Sequence, residues 1–242
     1  MCTVTILPKG KNDFILTSNR DEAPGRIPLE PDFYSINDIK MLFPKDREGG
    51  GTWIGASEKN RLICLLNGGF ICHVKTPPYR ISRGVVVKDL LSTDDIVTEI
   101  EIYNLDNVEP FTLVIADWNL DLRFFELVWD GNQKHFTELP LEPKIWSSST
   151  LYSESMNNER KVWFQEFLDD SDEFSANSIL DFHKTAGSEY KDYGVIMDRG
   201  EVKTTSVTQV EKKDDAIEMK YHNLQNDTTA FQVLKNAITI DE

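Results

Sequence analysis

The order in which the apolar segments change period is the tightest constraint on this chain. Strand-like runs occupy Cys2 to Leu7 and Phe14 to Ser18, and then Thr52 to Ala56 and Arg61 to Leu66. Helical text follows over roughly 82–104, with Ile96, Val97 and Ile100 at helical spacing behind a cap at Ser92 or Thr93. Strand-like runs return at Phe111 to Ala116, Leu122 to Trp129 and His135 to Leu139, with Asp130-Gly131-Asn132 as a turn between the last two. A second helical block runs from Glu154 to Leu168, then from Ser175 or Ser178 to near Gly187. Three final strands are predicted at Tyr193 to Met197, Val202 to Val210 and Ala216 to Tyr221. Strands in clusters with helix pairs between them predict an α+β chain of stacked antiparallel sheets covered by helices, not an alternating parallel sheet. No linker or repeat interrupts the pattern, so residues 1–242 are expected to form one domain. The stretch from Pro24 to Glu48, with Pro28, Pro31 and Pro44, reads as a long surface loop.

Charge narrows the partners. Lys and Arg total 26 against 41 Asp and Glu, a net charge of −15, which excludes a nucleic-acid ligand because phosphate contacts need a basic stripe. Anionic membrane surfaces are disfavoured for the same reason. No run approaches the roughly 20 apolar residues of a membrane span. Lys9-Gly10-Lys11-Asn12-Asp13 interrupts the start where a signal peptide would need an apolar stretch. A cytoplasmic protein is therefore expected. The three cysteines are an odd set without disulfide spacing, as in a reducing compartment, and Cys64 and Cys72 read as small core residues. The helical face of 154–168 suits packing on a sheet or on a partner equally, so no oligomeric state is assigned.

Familiar site motifs are missing. There is no phosphate-binding G-x-x-x-x-G-K-[ST], no G-x-G-x-x-G and no G-x-S-x-G elbow. Gly49-Gly50-Gly51 reads as a tight turn before a strand. His73, His135, His183 and His222 are scattered, and Cys64 and Cys72 lack metal-ligand spacing, so neither metal nor cofactor is expected.

What remains is Cys2. Removal of Met1 would place a thiol and a free α-amine on one residue, with reference pKa values of about 8.5 and 7.7–8.0. The amine can then act as base toward its own thiol without a histidine. A hairpin from the first to the second strand brings Asn19-Arg20-Asp21-Glu22 back beside Cys2. There a cation lowers the thiol pKa and a carboxylate orients the amine. Asn67, at the end of a later strand, has the amide N–H that a developing oxyanion needs. Trp53, Phe70, Trp146 and Tyr152 are candidates to line an apolar acyl pocket, although a core role suits each.

Cys2, the tetrad 19–22, Gly50-Gly51-Thr52-Trp53-Ile54-Gly55 and Asn67 together resemble the NRDE family, which includes the transport and Golgi organisation protein 2 relatives. That family is similar to N-terminal nucleophile hydrolases of the choloylglycine hydrolase and penicillin V acylase type. The resemblance implies an αββα four-layer sandwich. It makes Cys2 the nucleophile, Arg20 and Asp21 the charged pair beside it, and Asn67 an oxyanion donor, with Asn19 in support. Hydrolase relatives often carry a second Asn where this chain has Ser148, and an Arg where it has Lys203. Ser reaches less far than Asn, and Lys lacks the planar fork of Arg. Two readings follow: a cysteine hydrolase of a small-molecule amide or acyl substrate, or a non-catalytic lipid or haem carrier on the same fold.

Overall fold

The computed structural model describes residues 3–170 and 174–235, and its first two strands pair antiparallel. β1 (Thr3–Lys9) lies against β2 (Asp13–Glu22) with Thr3 opposite Asn19 and Ile6 opposite Leu16. Side chains alternate across a strand. Val4, Ile6, Phe14 and Leu16 therefore enter one apolar layer, and Leu7 and Ile15 enter another. Both faces of this hairpin are buried, which is why its apolar text is nearly continuous.

Along the chain follow β3 (Pro28–Ile36), β4 (Ile39–Asp46), β5 (Ile54–Ser57), β6 (Arg61–Asn67), α1 (Arg83–Leu91) and α2 (Ile96–Ile102). Then come β7 (Phe111–Asp117), β8 (Arg123–Trp129), β9 (Lys134–Leu139), β10 (Lys144–Ser147), α3 (Glu154–Asp169) and α4 (Ala176–Thr185). The chain closes with β11 (Lys203–Lys213), β12 (Ala216–Asn223) and β13 (Thr228–Lys235). One six-stranded sheet has the order β10-β1-β2-β11-β12-β13, and a seven-stranded sheet runs β3 to β9 in sequence order. Both are antiparallel throughout.

Three apolar layers hold the stack. Leu16, Val210 and Tyr221 of the first sheet meet Ile54, Leu62 and Phe124 of the second. Ile63, Leu113 and Ile115 of the second sheet receive Val87, Leu91 and Ile100 from α1 and α2. Ile15 of the first sheet receives Phe164 from α3 and Phe182 from α4. The expected αββα order is the observed one.

Several local expectations are corrected. The Pro-rich stretch 24–48 is not a loop: it holds the β3–β4 hairpin, closed by Asn37 and Asp38 at φ 52° and 63°. Pro28 and Pro31 are tolerated because β3 is an edge strand, and Pro44 because it lies past the Met41 and Leu42 pairs that β4 makes with β5, opposite the irregularity in β3. The cap of α2 is Asp95, whose carboxylate accepts from the Val97 and Thr98 N–H groups, not Ser92 or Thr93. Residues 193–197 form turns rather than a strand. β10 and β13 supply strands that the sequence pattern did not suggest. Cys72 is exposed on the loop after β6, whereas Cys64 is core, its thiol pKa pushed up to about 12 by burial.

α1 is fixed at both ends. At its C-terminus Arg61 Nη1 donates to the Leu90 and Thr93 carbonyls, and Arg61 Nε donates to Asp117 at 2.8 Å. A guanidinium there complements the helix dipole. At its N-terminus Gly84 meets Gly51 backbone to backbone: a Cβ on Gly51 would lie 2.7 Å from the Gly84 carbonyl carbon. Gly51→Ala should therefore destabilise the fold by about 1–3 kcal/mol, the cost of forcing apart packed elements. Urea denaturation checks this, and an unchanged midpoint would contradict the close contact. No helix among the described residues is long and apolar enough to cross a membrane.

Candidate active site

The tetrad at the end of β2 divides by strand alternation. Arg20 turns between the sheets, where its guanidinium carbon lies 4.7 Å from the Trp53 ring centroid. Asn19 and Asp21 turn to the opposite face, toward the α3–α4 layer. Arg20 and Asp21 thus work from two sides of one strand rather than as a contacting pair.

Arg20 is 2% exposed, and burial lowers its pKa. Its Nη1 donates to the Arg26 carbonyl and to Thr205 Oγ1, both at 3.2 Å. Thr205 sits at a β-bulge in β11 and donates back to the Arg20 carbonyl at 3.1 Å. Asp46 lies 3.7 Å and Glu22 4.0 Å from Arg20 Nη2. A buried cation loses hydration and needs such partners.

Arg20, Trp53 and Asn67 line one cavity of about 500 Å3 at the end of the sandwich. Its far wall is the loop 75–82 and the start of α1. Asn67 is half-buried, and its side-chain amide makes no hydrogen bond among the described residues. The next residue, Gly68, has φ +87°, and a Cβ there would lie 2.3 Å from Ser149 Oγ. Only glycine lets the chain leave β6 at this point. Ser148 Oγ donates to the Asn67 carbonyl at 2.6 Å, so Ser148 holds the strand end that carries Asn67.

The opposite face of β2 is a buried polar network. The Asn19 amide nitrogen donates to the His183 and Val195 carbonyls, at 3.0 and 2.6 Å. Its oxygen is then left to accept from His183 Nδ1, and His183 Nε2 accepts from Thr5 Oγ1 at 2.7 Å. Burial, with the Arg160 charge adding to it, pushes the His183 pKa down to about 3, so the ring is neutral. Asp21 accepts from Tyr152 OH and from Thr204 Oγ1. Arg160 is fully buried in α3, its guanidinium 3.5 Å from the Tyr152 ring centroid. It donates to Thr3 Oγ1, to the Tyr193 carbonyl at 3.0 Å and to the Gly194 carbonyl at 2.7 Å.

The structure therefore brings Arg20 and Asn67 to one cavity and places Asn19 and Asp21 behind them. Lys203 is opposite Glu22 in the β2–β11 ladder but lines a second cavity, of about 440 Å3. Cys2 lies outside the described residues; its covalent neighbour Thr3 is held by Arg160 and paired with Asn19. Sequence reasoning did not single out Arg160 as a site residue. The signal that could have found it was a single arginine within the apolar face formed by Trp163, Phe164 and Phe167.

Solved structures of N-terminal nucleophile hydrolases share this fold. A variant of conjugated bile acid hydrolase from Clostridium perfringens matches with a TM-score of 0.59 at 9% identity over 100% of both chains. Penicillin V acylase from Agrobacterium tumefaciens matches with a TM-score of 0.57 at 10% identity, over 99% of this chain and 94% of its own. The Caenorhabditis elegans N-acylethanolamine-hydrolyzing acid amidase ortholog gives 0.57 at 11% identity, over 86% and 92%. Curated proteins yield no significant match. The chain belongs to the family described as Transport and Golgi organisation 2, which matches residues 1–162 of the 242.

The neutral His183 gives a measurable pH dependence. The ring takes up a proton near pH 6.5 in the unfolded chain but only near about 3 in the fold. Its stabilising contribution is full above pH 6.5 and is lost as the pH falls from 6.5 toward 3, by up to about 1.4 kcal/mol per pH unit. The stability gap between the parent and His183→Gln should therefore narrow by about 2 kcal/mol between pH 7 and pH 4.5. Urea denaturation at the two pH values measures it, and a constant gap would contradict the neutral buried ring.

Proposed function

We propose that this chain is a cysteine amidohydrolase of the N-terminal nucleophile type, cleaving a non-peptide C–N amide of a small molecule in the cytoplasm. One observation carries the reading: the buried Arg20 of the N-terminal hairpin and the half-buried Asn67 at the end of β6 in the facing sheet line the same cavity. Thr3, bonded to Cys2, is paired with Asn19, bonded to Arg20. The fold and the family are compatible with it.

In this mechanism Met1 has been removed. The Cys2 α-amine takes the thiol proton, and the Arg20 charge favours the thiolate. The thiolate adds to the amide carbonyl carbon, and the carbonyl electron pair moves onto oxygen. The Asn67 side-chain N–H donates to that oxyanion. The ammonium returns its proton to the leaving nitrogen as the C–N bond breaks, leaving a thioester. Water then adds to the thioester while the amine accepts its proton, the C–S bond breaks, and the thiol is restored as the acid departs. Asn19, Asp21 and Ser148 act as positioning residues; Lys203 takes no part.

Intact mass should report loss of Met1, and a limiting amount of iodoacetamide should label Cys2 in a Cys72→Ser background, which removes the exposed competing thiol. With a panel of N-acyl amides, Cys2→Ala should reduce turnover to background. Asn67→Ala should lower kcat by about 10²–10³-fold. Full activity in Cys2→Ala would overturn Cys2 as the nucleophile, and retained Met1 with an inert Cys2 would overturn the proposal in favour of a non-catalytic lipid or haem carrier.

A further inference from the structure

The far wall of the cavity carries positive charge that the fold leaves unneutralised. Five Lys or Arg side chains line the cavity against three carboxylates, in a chain whose net charge is −15. The two halves differ. Near β2, Arg20 and Arg26 are matched by Glu22 and Asp46, with Arg26 Nε 2.8 Å from Asp46 and Arg26 Nη1 3.2 Å from Glu22. Across the cavity, Lys75, Arg80 and Arg83 have Glu109 as the one lining carboxylate. Glu109 already lies 3.2 Å from Arg83, 3.3 Å from His73 and 3.9 Å from Lys75. Arg80 forms no ion pair among the described residues and donates instead to the Asn104 and Asp106 carbonyls.

Unused donors gather on the same cavity. α1 starts there, its N-cap Ser82 makes no side-chain cap bond, and the Arg83 and Gly84 N–H groups have no acceptor among the described residues. A helix start of this kind favours an anion. Independently, Trp53 lines the cavity at 4% exposure, and its buried Nε1–H has no acceptor among the described residues. An unpaired buried donor is costly. Surplus cations and open helix-start N–H groups share one complement, a group bearing several anionic oxygens.

We infer that this wall, formed by Lys75, Arg80, Arg83 and the start of α1, is a subsite for a carboxylate or phosphate group on the substrate. The inference rests on the reading that this cavity binds the substrate, and it narrows the amide proposed above to an anionic one. The reacting carbonyl lies by Arg20 and Asn67, and the anion lies by Lys75, Arg80 and the start of α1, with Arg83 between them: its Nη1 and the Gly68 N–H donate to the same Pro110 carbonyl. A neutral amide of the same shape leaves the donors unpaired and is discriminated against.

Calorimetric titration of Cys2→Ala protein with benzoate, phenyl phosphate and neutral benzamide tests the subsite apart from catalysis. At least one anion should bind saturably and about tenfold or more tighter than benzamide, weakening as salt rises. Whichever anion binds identifies carboxylate or phosphate as the group. Lys75→Glu, at a side chain that is 73% exposed, and Arg80→Gln should each weaken that anion severalfold with benzamide unaffected. Thermal unfolding verifies that the variants fold, and Lys75→Glu keeps the test decisive if Arg80→Gln does not. Equal affinity for benzamide, no saturable binding of either anion, or an anion affinity unchanged by Lys75→Glu would overturn the subsite. Anion binding without amide turnover by the parent would keep the subsite and remove the hydrolase. Turnover with no preference for anionic substrates would do the reverse.

Discussion

The ladder between β1 and β2 sets the position of every residue with a proposed chemical role on the N-terminal hairpin. With Thr3 opposite Asn19, strand alternation sends Arg20 toward the second sheet and Asn19 and Asp21 toward the helices. A slip of one residue would exchange these faces, placing Arg20 among the helices and a carboxylate against Trp53. Two contacts from other elements hold the register. Thr205 clamps Arg20 from β11 through a bulge, and Arg160 reaches across from α3 to Thr3. Register here is a functional property as much as a structural one.

Three buried arginines show how the fold manages charge. Arg61 is matched directly by Asp117 and helix carbonyls. Arg20 has carboxylates at 3.7 and 4.0 Å and an aromatic face. Arg160 has no carboxylate within ion-pair distance among the described residues and depends on carbonyls, hydroxyls and the Tyr152 ring. Burying a charge without a counter-ion is expensive, and the aromatic face offsets part of that cost. The progression follows position: the fully matched arginine anchors a helix, and of the two less matched ones Arg20 lies on the N-terminal hairpin and Arg160 packs against it.

Layer order was legible in the sequence because it depends on element type, and helix pairs differ from strand clusters in period. The proximity of Arg20 and Asn67 was legible because each ends a strand carrying a sharp local motif. The orientation within the tetrad was hidden, since adjacency in text suggests partnership whereas a strand separates neighbours. The β3–β4 hairpin was hidden because proline argues against strands in general but not at an edge. The cationic wall was the least visible feature. Lys75, Arg80, Arg83 and Glu109 are separated by up to 34 positions, and a global excess of acid masks a local excess of base. Arg160 was hidden because a single arginine on an apolar helical face does not show which element it reaches, and the fold places its guanidinium beside Thr3.

The contact of Gly51 with Gly84 gives the cavity one wall whose position depends on main chain alone. Most pockets adjust to a guest by rotating side chains, and there is none to rotate at this junction. The closed seam between the turn before β5 and the start of α1 therefore ties the helix start to the sheet, and that wall shifts only if the helix moves as a whole against its Arg61 anchor.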